Sequence, residues 1–144
     1  MFIIGCNDTA DYSVIADTGI YKLSGGDGMK TVLIVDDNRD VLELTAYMLE
    51  DAGYEVVAAD GSEQAMQVAS VRPDIGVVVT DLNLKRGMSG IEMGKAMHQE
   101  GLRCPMIVMS GASEPPEEEL QAWMKYLAKP FDRKTLLAAI TEHA

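Results

Sequence analysis

The chain has 144 residues, enough polymer for one core and too little for two. Hydrophobic residues make up 47% and charged residues 24%, which excludes wholesale disorder, and no apolar run nears the roughly 20 residues that cross a bilayer. The formal net charge of −11 argues against direct contact with nucleic acid or an anionic membrane.

Residues 1–28 differ from the rest. They carry Lys22 as their single Lys, four Asp and the run Ser24-Gly25-Gly26-Asp27-Gly28. They read as an N-terminal appendage, flexible or folded into a small extra hairpin over residues 12–16 and 20–23 that turns at Asp17-Thr18-Gly19. The apolar start lacks a basic flank, so it does not read as a secretory signal, and Met29 can serve as an alternative start. Cys6 and Cys104 form no CxxC pair, and with only His98 and His143 beside them a zinc site is not expected. The chain is expected to be cytoplasmic, with reduced thiols.

Residues 29–144 read as one domain. Short apolar runs alternate with helix-period segments. The runs are 31–35, 55–59, 75–80, 106–110 and 125–128. Most are continuous and rich in Val and Ile, as strands of a parallel sheet covered on both faces must be. The first helix is expected over 40–52, with Val41, Leu44, Met48 and Ala52 as its buried stripe and Gly53 as its stop. The second spans 62–71 and ends before Arg72-Pro73, because the residue before proline resists the helical region. The third spans 89–99. The fourth, 116–123, opens on Pro115-Pro116 and three glutamates that suit a helix N-terminus. The fifth, 133–143, follows the last strand. Trp123 is expected in the core. The pattern is α/β, a doubly wound (βα)5 fold with a five-stranded parallel sheet.

In such a sheet, ligands bind beyond the C-terminal strand ends where the strand order reverses. Asp36 and Asp37 follow the first strand, Asp81 the third, Ser110 ends the fourth, and Lys129-Pro130 follows the fifth. With strand order 2-1-3-4-5, three carboxylates converge beside a hydroxyl and an ammonium. Clustered like charges raise one another's pKa and are tolerated around a hard divalent cation such as Mg2+, which prefers oxygen ligands. A carboxylate there can act as nucleophile toward a phosphoryl group. Taken singly, each piece has a plainer reading: a helix cap, a turn residue or a surface dipeptide.

The ordered set VLIVDDN, VVVTDLNL, MSG, IVMSG and YLAKPF resembles the response-regulator receiver domain of two-component signalling. The resemblance covers nearly all of the chain after the appendage and implies the flavodoxin-like order 2-1-3-4-5. It also implies that Asp81 is the phosphoacceptor and that Mg2+ is held by Asp37, Asp81 and the backbone carbonyl of Asn83, with Asp36 acting mainly through a metal-bound water. Ser110 and Tyr126 stand at the switch positions, Lys129 at the lysine of the motif, and the Lys129-Pro130 bond is implied to be cis. The implied donor is a sensor histidine kinase or a phosphotransfer protein. The implied output is a changed face of the fourth helix, fifth strand and fifth helix, read by a downstream protein target. Such a chain assists its own phosphorylation and dephosphorylation rather than turning over a substrate, as a monomer or weak dimer, with no membrane or nucleic-acid contact. It can be free-standing or a fragment of a hybrid histidine kinase.

Three features depart from the family pattern. The loop after Asp81, LNLKRGMSG, is one residue longer than the common form and lacks its usual proline. The stretch from Ser110 to Lys129 is shorter, with Ala122-Trp123 where Gly-Ala is usual. The appendage has no counterpart. The rival readings are a haloacid-dehalogenase-type phosphohydrolase and a flavodoxin-like cofactor binder. The first needs Asp-x-Asp after the first strand, where this chain has an adjacent pair. The second needs a phosphate loop where this chain has two acids.

Overall fold

A computed structural model describes residues 2–4, 31–111 and 120–143. In chain order the elements are β1 (Phe2–Ile4), β2 (Thr31–Val35), α1 (Arg39–Asp51), β3 (Glu55–Ala59), α2 (Ser62–Val71), β4 (Ile75–Asp81), α3 (Gly90–Gln99), β5 (Met106–Ser110), β6 (Met124–Ala128) and α4 (Arg133–His143). Among these residues the sheet runs β1-β3-β2-β4-β5-β6, with every pair parallel. The five strands expected from the Val/Ile runs are present in the order 2-1-3-4-5.

One strand was not foreseen. Phe2–Ile4 pairs with Val57, Ala58 and Ala59, which adds a sixth strand at the β3 edge. Three apolar residues are too short a run to signal a strand, and only the exposed edge of β3 gives them a partner. The possible hairpin over 12–16 and 20–23 lies outside the described residues.

Period-two alternation sends successive strand residues to opposite faces. Leu33, Val35, Val57 and Val78 meet α2 and α3 through Ala65, Val68, Ile91 and Met93. Val32, Ile34, Val77 and Ile107 meet α1 and α4 through Leu42, Ala46, Leu136 and Ile140. This two-sided burial explains why the runs read as continuous.

Two helix expectations need correction. The buried face of α1 is Leu42, Thr45, Ala46 and Leu49, whereas Leu44 is 58% exposed. Both stripes have helical spacing. The choice between them is made by packing, since Leu42, Ala46 and Leu49 cluster with Val32, Ile34 and Val56 of the sheet, while Asn38 caps the helix start, accepting from the backbone N–H groups of Asp40 and Val41 at 3.1 and 3.2 Å. The first half of the fourth expected helix, 116–119, lies outside the described residues, and its second half, 120–123, forms a bend and a turn instead of a helix. There the carbonyl of Trp123 accepts from the Met106 N–H at 2.9 Å, so the chain is already committed to the sheet. The Trp123 ring is half-buried, packs on the α2–α3 side of the core and stacks on His98, with centroids 4.4 Å apart.

At the N-terminal ends of the strands sits a buried ion network. Arg72 donates to Glu55 at 2.7 Å and to both oxygens of Asp74 at 2.6 and 2.8 Å. The Thr31 hydroxyl donates to Glu55 and Asp74 at 3.3 and 3.1 Å. The network ties β2 and β3 to the segment between α2 and β4, at the end of the sheet opposite Asp36 and Asp81.

Candidate functional site

Register places the site. Val35 pairs with Thr80, Asp81 with Met109, and Ser110 with Ala128. The residues that follow these pairs therefore emerge side by side. Asp36, Asp37 and Asp81 each offer a carboxylate oxygen within 4.8 Å of the others.

Asp36 is fully buried. One of its oxygens accepts from the Asn38 N–H at 2.9 Å, the other from Lys129 Nζ at 3.0 Å. Both oxygens are thereby fixed, and the backbone of Asp36 is held by the Ala59 carbonyl at 3.2 Å. Lys129 Nζ stands 3.7 Å from Asp81. Among the described residues this ammonium pairs with two of the three clustered carboxylates, so the cluster is short of positive charge. Burial, followed by the charges of Asp36 and Asp37, pushes the Asp81 carboxyl above its ordinary value, while Lys129 and the Asn83 N–H pull it down. Half-buried Asp81 also accepts the Asn83 N–H at 3.4 Å.

The remaining expected residues surround this cluster. Ser110 is buried at the end of β5, and its carbonyl accepts from the Lys129 N–H at 2.9 Å and from the Tyr126 hydroxyl at 3.2 Å. Tyr126 is half-buried on β6. The Lys129-Pro130 peptide is cis. Asn83 is exposed in the loop just after Asp81.

That loop contributes a group that sequence reading missed. The backbone N–H of Lys85 donates to Asp37 Oδ2 at 2.6 Å. The only signal was negative, a non-proline residue where the common form has proline and hence a free N–H. Gly90, in the MSG motif, opens α3 directly against the site. A Cβ there would collide with the Asp81 carbonyl oxygen. Ser89 before it forms a capping box with Glu92.

Chemically, the cluster is an all-oxygen donor set with excess negative charge, which fits a hard divalent cation. It also presents a half-buried carboxylate beside an ammonium, an arrangement able to accept and then stabilise an anionic group.

The chain belongs to the response regulator receiver domain family, whose model matches residues 32–141. It is thus a receiver domain of two-component signalling, a family of signalling phosphoacceptors. The alkaline phosphatase synthesis transcriptional regulatory protein PhoP of Bacillus subtilis is 30% identical over 115 residues, covering 77% of this chain and 47% of that protein. The transcriptional regulatory protein FixJ of Azorhizobium caulinodans is 34% identical over 112 residues, covering 76% of this chain and 52% of that protein. The chain therefore spans about half the length of these two relatives. The solved structure of the chemotaxis protein CheY4 of Vibrio cholerae matches with a TM-score of 0.72 at 28% identity, over 81% of this chain and all of that one. Among the described residues no helix is long and apolar enough to cross a membrane.

Proposed function

We propose that Asp81 is the phosphoacceptor, that Asp36, Asp37, Asp81 and the Asn83 carbonyl hold Mg2+, and that Lys129 and Ser110 bind the transferred phosphoryl group. The observation that carries this reading is the clustering of three carboxylates, two of them within 4 Å of the Lys129 ammonium, at strand ends far apart in the chain. Residues 29–144 form the receiver and residues 1–28 an appendage to it.

The donor is a phosphohistidine on a sensor histidine kinase or a phosphotransfer protein. The Asp81 carboxylate attacks phosphorus, a P–O bond forms, and the P–N bond to the histidine breaks. Mg2+, when bound, neutralises charge on the phosphoryl oxygens. Asp36 cannot compete as nucleophile, because both its oxygens are already engaged by Asn38 and Lys129. Lys129 reaches both Asp36 and Asp81, so it can follow the new negative charge with a small movement.

The aspartyl phosphate adds about −2 of charge near neutral pH. Ser110 turns its hydroxyl toward it, and Tyr126, which now donates to the Ser110 carbonyl, changes partner and rotates inward. The face built by β6, α4 and the segment before β6 is altered for a downstream protein target. Inverting a 1:99 equilibrium requires about 5.5 kcal/mol of differential stabilisation. A lysine contact, a hydroxyl bond and metal contacts, at about 1–3 kcal/mol each, reach that sum. The setting is cytoplasmic, with the protein a monomer or weak dimer. The same chemistry serves a receiver within a longer protein such as a hybrid histidine kinase.

Phos-tag electrophoresis after incubation with acetyl phosphate and MgCl2 tests the assignment. Wild type shifts and Asp81→Asn does not. Labelling of Asp81→Asn at unchanged yield would overturn it.

A further inference from the structure

The carboxylate of Asp37 has an unusual holder. Asp36 is locked by a lysine and an amide within its own strand-end turn. Asp37 is half-buried, and the N–H that it accepts comes from Lys85, in the loop beyond Asp81. At 2.6 Å this is a short, charge-assisted bond. Without it, repulsion from Asp36 and Asp81 would favour swinging Asp37 out to water.

The loop is built to hold that amide in place. Leu84, immediately before Lys85, is buried in the core on the α2–α3 side of the sheet. Gly87 takes φ +78°, a left-handed turn that glycine accepts without strain. It lies so close to Ser62 that a Cβ would strike the Ser62 hydroxyl oxygen. That hydroxyl, at the start of α2, accepts the Met88 N–H at 3.2 Å. The Gly90 N–H closes the loop on the Leu82 carbonyl at 2.9 Å. The Lys85 amide is thus fixed between a buried side chain and a glycine turn clamped to a neighbouring helix.

We infer that the Lys85 backbone amide is a positioning group for the metal site: it holds Asp37 inward, toward Asp36 and Asp81, so that the three carboxylates are preorganised for Mg2+. This rests on the metal reading given above and deepens it. The side chain of Lys85 is exposed and has no part in the effect. A proline at this position would lack the N–H that Lys85 supplies. Outer groups that orient a metal ligand are typically worth 10–100-fold in affinity.

The test compares Lys85→Ala, which keeps the N–H, with Lys85→Pro, which deletes it. MgCl2 titrations of the full chain are followed by 1H–15N amide shifts, with thermal melting in EDTA as the folding control. Wild type and Lys85→Ala should saturate alike, within about twofold, and Lys85→Pro should need about tenfold more Mg2+. In the free protein the Lys85 amide proton should lie well downfield and return upfield in Asp37→Asn. If proline distorts the loop, a backbone ester at position 85 removes the N–H while keeping the side chain, and it should show the same loss. Mg2+ binding by the proline or ester variant as tight as wild type, or tighter, overturns the inference. Absence of Mg2+ saturation in the wild type would instead overturn the metal reading itself, and this inference with it.

Discussion

Replacing Arg72 by Met should remove a large fraction of the protein's stability. Arg72 is 6% and Glu55 8% exposed, so neither charge can turn to water. The substitution deletes the three bonds of 2.6–2.8 Å that Arg72 makes to Glu55 and Asp74. Asp74 is part-exposed and can rehydrate. Glu55 keeps only the 3.3 Å bond from Thr31 and is left as a buried charge without a cation. Removing one partner of such a pair costs about 3–5 kcal/mol, most of it the penalty for the stranded charge. With a urea slope of about 2 kcal/mol per molar, the unfolding midpoint should fall by roughly 1.5–2.5 M. The double variant Arg72→Met/Glu55→Leu should recover most of this loss, since buried ion pairs are often replaceable by apolar residues of similar volume. Equilibrium urea unfolding at neutral pH measures both. A loss below about 1 kcal/mol in the single variant, or a double variant no more stable than the single, would refute the stranded-charge reasoning.

Acid should act on two carboxylates with opposite sign in metal-free buffer. The hydrogen bond from Arg72 holds the Asp74 carboxyl below its ordinary value, so its stabilisation is complete above that value and is lost as pH falls through the depressed one. Burial holds the Asp81 carboxyl above its ordinary value, so its ionised form opposes folding, and protonation as pH falls through the raised value restores stability. Melting temperatures across the acid range should therefore drop less steeply in Asp74→Asn, and Asp81→Asn should melt above wild type at neutral pH; the reverse order would contradict both assignments. Gly90→Ala should cost about 1–3 kcal/mol in urea unfolding, because the new methyl group displaces the Asp81 carbonyl. It should also lower the acetyl phosphate labelling yield, and an unchanged midpoint would show that the backbone yields freely.

Much of this protein was legible in its sequence because continuous Val and Ile runs have few alternatives. β2, β3 and β5 begin and end where their apolar runs do, α2 and α4 lie within their expected bounds, and Asp36, Asp37, Asp81, Ser110 and Lys129 stand at strand ends where chemistry was expected. Those identities belong to side chains, and side chains are what a sequence records.

What only the tertiary structure decided depends on relative position in space. Leu42 rather than Leu44 faces the core because its stripe, with Ala46 and Leu49, is the one that packs on the sheet, and helical periodicity alone fits either stripe. Phe2–Ile4 becomes a strand because β3 has a free edge. Trp123 is half-buried, one side packed on the core and its ring stacked on His98, a pairing that only the meeting of α3 with the segment before β6 brings about. Asp37 is held by an amide of Lys85, and a backbone N–H has no letter of its own: it becomes a functional group only where the folded loop brings it against a charge.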